Sequence, residues 1–485
     1  MNMHNKIICV ALALVITASA AVAAPFTFGV MGDTQWSGSD PTGNNVNTVA
    51  VNQIKACNLA FVNAGVSFVV QVGDLCDTNG STNAALQTRL DANSALNAAD
   101  IPFYGLRGNH ESSTGNQTFF NANYIPANTA ARPVAVAPDT SSYAVTVGGT
   151  KIVLLDINTS ASASNLTTAT TWMDGQLKAA DHTQSFVFSH KNLLGQNHKD
   201  NEFGSGNDAN PAQQNAFIGS LQNNGVRYAL SGHDHMHHRS MVASPDGLSK
   251  VQEIICASDS YKYYTPGTPY SSRETAISQQ LYKTGYYLFT VDGPRVTGKY
   301  YETTPLSNGD VPANPTWTLS ETFGYSLNGR QFLVPSGGNL NVVQDTYGST
   351  TMHLDGTNSS TVLTYDGRLV TKDVNTGWTD KAAAGFASDA LTLWGMEDID
   401  SATTASAFTL TMSYQVAPGS GSDIYMARQL ADGSWAPLAS TLNGDGTVSA
   451  TIGQGGTFAV VPEPATVSLL VLGGMAVLAR RRNRR

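Results

Sequence analysis

The chain has 485 residues, more than the ~100–200 of one ordinary domain, so two folded domains are expected. Charged residues make up 13% and the formal net charge is −9, which argues against a broad nucleic-acid surface, because that needs a basic face. A phosphate substrate stays open, since bound cations can reverse the local field.

The first 25 residues, MNMHNKIICVALALVITASAAVAAP, carry Lys6, an apolar run over 7–16 and then Ala21-Val22-Ala23. That order predicts a secretory signal peptide over residues 1–23. Cys9 leaves with it, and Cys57, Cys76 and Cys256 remain, an odd number with room for one disulfide. Residues 25–304 then alternate strand-like and helix-like patterns. FTFGVMGD (26–33) reads as a buried strand, and Ala50, Ile54, Cys57 and Phe61 share one face of a helix. VSFVVQVGD (66–74) is a second strand, followed by a helix around 84–99 and the strand IPFYGL. YAVTV and KIVLLDI flank Gly148-Gly149-Thr150 as a hairpin. Helices near 172–180 and 212–221 lead to SFVFSH and VRYALSGHDH, and VQEIICAS, GYYLFTV and RVTGKYYE close the region. Alternating β and α units predict a largely parallel, helix-covered sheet, with ligands at the carboxyl ends of strands.

Polar residues gather at those ends. The strands deliver Asp33 and Gln35, then Asp74, then Asn109 and His110, then His190, and last His233 and His235. Gly32, Gly73, Gly108 and Gly232 precede four of these groups, where a tight turn or a close backbone approach is needed. Oxygen donors mixed with imidazoles suit Zn, Mn or Fe better than Ca or Mg. A carboxylate can bridge two such cations ~3.5–4 Å apart, and a water held there ionises near pH ~7. A nearby histidine can then protonate a departing alkoxide.

The ordered blocks Asp33-Thr34-Gln35, Gly73-Asp74, Gly108-Asn109-His110-Glu111, His190 and Gly232-His233-Asp234-His235 resemble those of the calcineurin-like metallophosphoesterases. The resemblance covers roughly residues 26–302 and implies a four-layer αββα sandwich. It implies one metal on Asp33, Gln35, Asp74 and His235, and another on Asp74, Asn109, His190 and His233, with Asp74 bridging. It makes His110 the general acid or transition-state stabiliser, and Asp77 the carboxylate that orients it. Gln35 stands where the family usually has a histidine; its carbonyl is a harder and weaker donor, so looser or different occupancy is expected there. Thr78 stands where some branches carry a phosphate-binding arginine. Arg107 is expected to compensate, with an exposed rim charge as the alternative. His198 follows His190 in KNLLGQNHKDN and is expected either as loop decoration or as a residue lining the substrate pocket.

The segment LSGHDHMHH puts four histidines within six positions. If it is extended, side chains alternate, so His233 and His235 share one side and Asp234 is structural. His237 and His238 are expected to be solvent-exposed loop residues.

The pattern changes near Thr304-Pro305. Residues 305–461 contain short alternating stretches such as TVLTY and SAFTLTMSYQV between turn clusters, which predicts a β-sandwich. Trp378, Trp394 and Trp435 are expected in its core. Residues 462–485 begin at Pro462-Glu463-Pro464, run apolar from 465 to 479, and end in Arg480, Arg481, Arg482, Arg484 and Arg485. This resembles the PEP-CTERM sorting signal of bacterial exported proteins. It implies transient membrane contact and processing by an exosortase. The folded part is then expected in the envelope, at the cell surface or in the extracellular matrix.

Two readings of function follow. One is an exported phosphoesterase with two di- or trivalent metal ions, hydrolysing phosphate mono- or diesters through a metal-bridged hydroxide. The other is a non-catalytic surface or matrix protein whose phosphoesterase fold displays the β-rich module.

Overall fold

The computed structural model describes residues 24–37, 44–77, 82–130, 132–156, 161–267 and 271–327, and within the remainder 330–344, 349–354, 361–369, 372–373, 377–378, 386–394, 408–414, 424–430, 432–453 and 455–462. The expected signal peptide, Thr78 and the basic tail lie outside the described residues.

Strand β1 (Phe26–Met31) buries Phe28 and Val30 on one face. Helix α1 (Val51–Ala64) covers the other face with Ile54, Cys57 and Phe61, as the spacing predicts. Next come β2 (Val69–Gln71), α2 (Asn83–Asp91), α3 (Ser94–Ala98), β3 (Phe103–Gly105) and α4 (Thr114–Asn123). A second run holds β4 (Val134–Val136), β5 (Tyr143–Val147), β6 (Thr150–Leu155), α5 (Ala163–Leu177) and β7 (Gln184–Ser189). The two-residue strands β8 (Asp200–Asn201) and β9 (Gly204–Ser205) precede α6 (Pro211–Asn223). Then follow β10 (Tyr228–Ser231), β11 (His237–Ala243), β12 (Lys250–Ile255), β13 (Glu274–Gln280), β14 (Thr284–Asp292), β15 (Arg295–Thr303) and β16 (Thr318–Ser326). Thr82, Ser113 and Ser162 cap α2, α4 and α5 by accepting a backbone N–H of the first turn.

Apart from the short β8-β9 pair, these strands form two sheets rather than one. The first is ordered β16-β15-β14-β1-β2-β3, the second β13-β11-β12-β10-β7-β6-β5-β4. Each has a parallel part: β1-β2-β3 forms one end of the first sheet, with antiparallel strands added beside β1, and β12-β10-β7-β6 forms the centre of the second, with antiparallel strands on both sides. The sheets face each other through aromatic packing: Phe28 of the first lies edge-on to Phe186 of the second, ring centroids 5.0 Å apart. Helices α5 and α6 cover the outer face of the second sheet through Leu166, Met173, Phe217 and Leu221. The architecture is the four-layer αββα sandwich.

The first sheet does not stop at 304. Strand β16 lies beyond Thr304-Pro305 yet pairs with β15 along its length, and its Phe323 and Tyr325 join the inter-sheet core. The expected boundary at 304/305 therefore cuts through this unit. The pattern change there marks a loop, not the end of the sheet.

Beyond it, apart from the short pair Lys372–Asp373 and Gly377–Trp378, the described strands make two antiparallel sheets. One contains Arg330–Val334, Thr361–Leu369, Ala390–Trp394, Gly456–Pro462, Ile424–Gln429 and Trp435–Pro437. The other contains Asn339–Gln344, Ser349–Leu354, Phe408–Ser413, Thr447–Ile452 and Ser440–Leu442. Met352, Leu393, Phe408, Leu410, Met426 and Phe458 form a shared apolar core, as a sandwich requires. Trp435 is half-buried against Phe386, while the side chains of Trp378 and Trp394 lie outside the described residues. Among the described residues, no helix is long and apolar enough to cross a membrane.

Candidate metal centre

The carboxyl ends of β1, β2 and β3 meet those of β7 and β10 at one rim of the sandwich. Two side-chain groups with ligand atoms within 4.8 Å of one another result: Asp74, His190 and His233, and Asp33, Asp74 and His235. All five residues are buried, and Asp74 belongs to both groups. Asp74 Oδ1 lies 3.2 Å from His190 Nε2, and Asp33 Oδ2 lies 3.3 Å from His235 Nε2. Asn109 Oδ1 is 3.0 Å from His190 Nε2. The Gln35 amide nitrogen donates to Asp74 Oδ2 at 3.1 Å and stands 3.2 Å from His110 Nε2. All seven residues expected as ligands are thus gathered here.

The site is built where close packing is unusual. A Cβ on Gly108 would lie 2.0 Å from Asp74 Oδ1, and one on Gly232 would lie 2.3 Å from Asp33 Oδ1. Both glycines let the backbone press against a carboxylate. Asp74, His233 and His235 all adopt left-handed backbones, with φ of 43°, 67° and 47°. Such conformations cost free energy in non-glycine residues and collect at functional sites. They also correct the expectation of an extended 233–235 segment. His233 and His235 converge through a turn after β10, and each joins a different ligand group.

Neighbours fix the imidazoles. His190 Nδ1 donates to the Val72 carbonyl at 3.0 Å, which turns Nε2 toward Asp74 and Asn109. His235 Nδ1 lies 2.9 Å from Ser258 Oγ, whose hydroxyl donates to the Lys262 carbonyl at 2.7 Å. Ser258 therefore accepts from His235, and His235 Nε2 keeps its lone pair. Backing of this kind orients metal ligands.

Burial pushes the Asp33 carboxyl up, reinforced by Asp74 and opposed by His190. Burial also works against an ionised Asp74, but His190, His110 and His233 together outweigh it and hold its carboxyl down. His190 moves up: burial opposes its charge, and Asp74 and Asp33 prevail. Burial depresses His233, His235 and His110. Neutral imidazole and carboxylate are the forms that bind cations, which suits the directions at Asp74, His233 and His235, whereas Asp33 and His190 would release protons on binding a metal.

The residues fit a pair of cations on a further count. Asp33 Oδ1, Gln35 Oε1 and His233 Nε2 are buried without a hydrogen-bond partner, although such atoms are almost always partnered. Asp200 Oδ2 stands 3.4 Å from His233 Nε2 but without hydrogen-bond alignment.

The other expected site residues divide. Asp77 accepts from Tyr261 Oη at 3.2 Å and lies 3.5 Å from Lys262 Nζ, and its charge favours protonated His110. His198 Nδ1 is 2.6 Å from Asp234 Oδ1, and its ring centroid is 4.3 Å from that of His233, so it borders the centre. Asp234 also accepts from the backbone N–H groups of Gln196, Asn197 and His198, which makes it the anchor of that loop. Arg107 turns away from the expected phosphate role. It is 2% exposed, its Nε meets Asp156 Oδ2 at 2.5 Å, and its Nη1 donates to the Glu111 carbonyl. Glu111 ties two motif loops together by accepting from Cys76 N–H at 3.0 Å and Gly108 N–H at 2.9 Å.

His237 and His238 are not exposed loop residues. Both are buried on β11. His237 bridges Tyr287 Oη and Glu321 Oε2, and His238 pairs with Glu274. The histidine cluster therefore has two uses, with its first half at the metal centre and its second half inside the sheet. Cys57, Cys76 and Cys256 are buried thiols with no disulfide among them.

Comparison with known proteins gives a consistent picture. Residues 26–237 match the calcineurin-like phosphoesterase family, and residues 460–485 match the PEP-CTERM protein-sorting motif. That motif indicates an exported or cell-envelope bacterial protein and implies exosortase processing. No curated protein matches the chain. Among solved structures, PhoD shares 14% identity over 62% of this chain and 70% of its own, with a TM-score of 0.43. A dimetal phosphatase from Danio rerio shares 14% over 57% and 95%, with a TM-score of 0.35. Vps29 from Chaetomium thermophilum shares 10% over 62% and 97%, with a TM-score of 0.27.

Proposed function

We propose that this calcineurin-like phosphoesterase domain is an exported hydrolase of phosphate mono- or diesters that works with two metal ions. The observation that carries the reading is the pair of ligand groups sharing Asp74, together with the buried Asp33 Oδ1, Gln35 Oε1 and His233 Nε2 that have no hydrogen-bond partner. Asp33, Gln35, Asp74 and His235 would hold one cation, and Asp74, Asn109, His190 and His233 the other. When bound, such a pair supplies Lewis-acid activation of water and neutralises phosphoryl charge.

The chain's own residues supply the rest. His110 is partly accessible, with 14% of its side chain exposed, and its backbone N–H donates to Asp74 Oδ1 at 3.1 Å. The side chain therefore sits beside the bridging carboxylate without being needed as a ligand. Burial is the largest influence on His110 and depresses it, while Asp74 and Asp77 favour its protonated form; a proton held there can pass to the departing alkoxide. Glu111 and Asp234 keep the loops bearing Asp74, Asn109 and His190 in register.

Turnover of para-nitrophenyl phosphate and its bis ester with added Mn or Zn tests this directly. Hydrolysis that chelation abolishes supports it. No turnover with any metal, together with an unchanged melting temperature on chelation, would favour the display reading.

A further inference from the structure

Strand β12 ends at Ile255, and the following residues, CASDSYKYY (256–264), lie across the metal-centre loops. Ser258 backs His235, and Ser260 Oγ donates to the Gln35 carbonyl at 2.7 Å. Tyr261 holds Asp77, and Tyr264 sets its ring edge-on to His235 and His198, with centroids 5.2 Å and 4.9 Å away. Lys262 sits within this strap. Its carbonyl is fixed by Ser258, and its Nζ lies 3.5 Å from Asp77 Oδ2 and 5.3 Å from the Tyr261 ring. The side chain is 19% exposed, and its charge acts on Asp33, His110 and His235.

We propose that Lys262 engages a non-bridging phosphoryl oxygen and makes the site favour dianionic monoesters over monoanionic diesters. The inference rests on the phosphoesterase reading. The contact to Asp77 is longer than the ~2.7–2.9 Å of a charge-assisted hydrogen bond, so the ammonium keeps donors for a second anion. Lysine is a point charge on a flexible stem and can swing from Asp77 toward a substrate. A fixed unit charge attracts a dianion about twice as strongly as a monoanion at the same distance. Two rival cations are engaged elsewhere: Arg107 is buried against Asp156, and Lys191 lies 2.9 Å from Asp200.

The test compares Mn-loaded wild type, Lys262→Gln and Lys262→Arg. Inorganic phosphate binding is followed by calorimetry, and both nitrophenyl esters by turnover. Lys262→Gln should weaken phosphate binding about tenfold, the scale of one charged hydrogen bond. It should raise the monoester KM similarly, shift the diester KM by only about threefold, half the energy of a tenfold effect, and leave metal content unchanged; Lys262→Arg should restore phosphate binding. Unchanged phosphate binding, an equal loss on both esters, or loss of metal in Lys262→Gln would overturn the inference. If wild type hydrolyses neither ester but phosphate binding still depends on Lys262, the phosphoesterase reading falls and the ester preference with it, while the phosphoryl contact of Lys262 stands.

Discussion

The αββα unit and the C-terminal sandwich bury different things. The sandwich core is Val, Leu, Ile, Met, Phe and Ala, with Thr350, Ser388, Asp389 and Ser413 as its described buried polar residues. The αββα unit buries Asp33, Asp74, His190, His233 and His235 side by side and holds three of them in left-handed backbones. Burying charge is expensive unless it is paired or binds metal. The sandwich thus reads as an element kept for its shape, and the rim as an element kept for its chemistry. Places where packing rules are broken point to function.

Substitutions can break or sharpen that contrast. The largest effect should come from Asp74→Asn, which removes the shared ligand; turnover should fall to background, and metal content by mass spectrometry should drop at both sites. His110→Ala should cost about 10²–10⁴ in kcat with metal content retained, and lost metal would show that His110 is a ligand. Glu111→Ala leaves the buried Cys76 and Gly108 N–H groups unpaired, at a cost of about 1–3 kcal/mol each in denaturant unfolding.

A milder effect concerns pH. Burial is the largest influence on Glu253 and pushes its carboxyl up to about 8, from an ordinary 4.5. The folded state therefore holds this proton more tightly than the unfolded chain. That stability is fully present below pH 4.5 and is lost as pH rises through about 8. Glu253→Gln should flatten the decline in melting temperature over this window. The smallest effect on turnover should come from truncation after Leu327, which removes the sandwich and keeps β16. A truncated protein without activity would show that the two regions are not separable in function.

The sequence made the candidate metal centre legible because each block of expected ligands is a short polar string after an apolar strand. Asp33, Asp74, His190 and the two rim histidines needed only that rule. Other features could not be read this way. The strap over 256–264 acts through serine hydroxyls, backbone carbonyls and tyrosine rings, which carry no ligand signature. Its one signal was position, after a further strand ending at the same rim. His237 and His238 looked exposed because their covering partners, Glu321 and Glu274, are distant in sequence. Strand β16 was hidden by the Pro- and Asn-rich loop before it. Arg107 was misplaced because its partner Asp156 comes from β6's end, a contact no local pattern reveals.

The shared ligand is the hinge of the account, and anomalous scattering from a manganese-soaked crystal examines it most directly. The account predicts two peaks, both within coordination distance of Asp74, one also touching Asp33 and His235 and the other His190 and His233. A single peak, or two peaks that do not share Asp74, would contradict it.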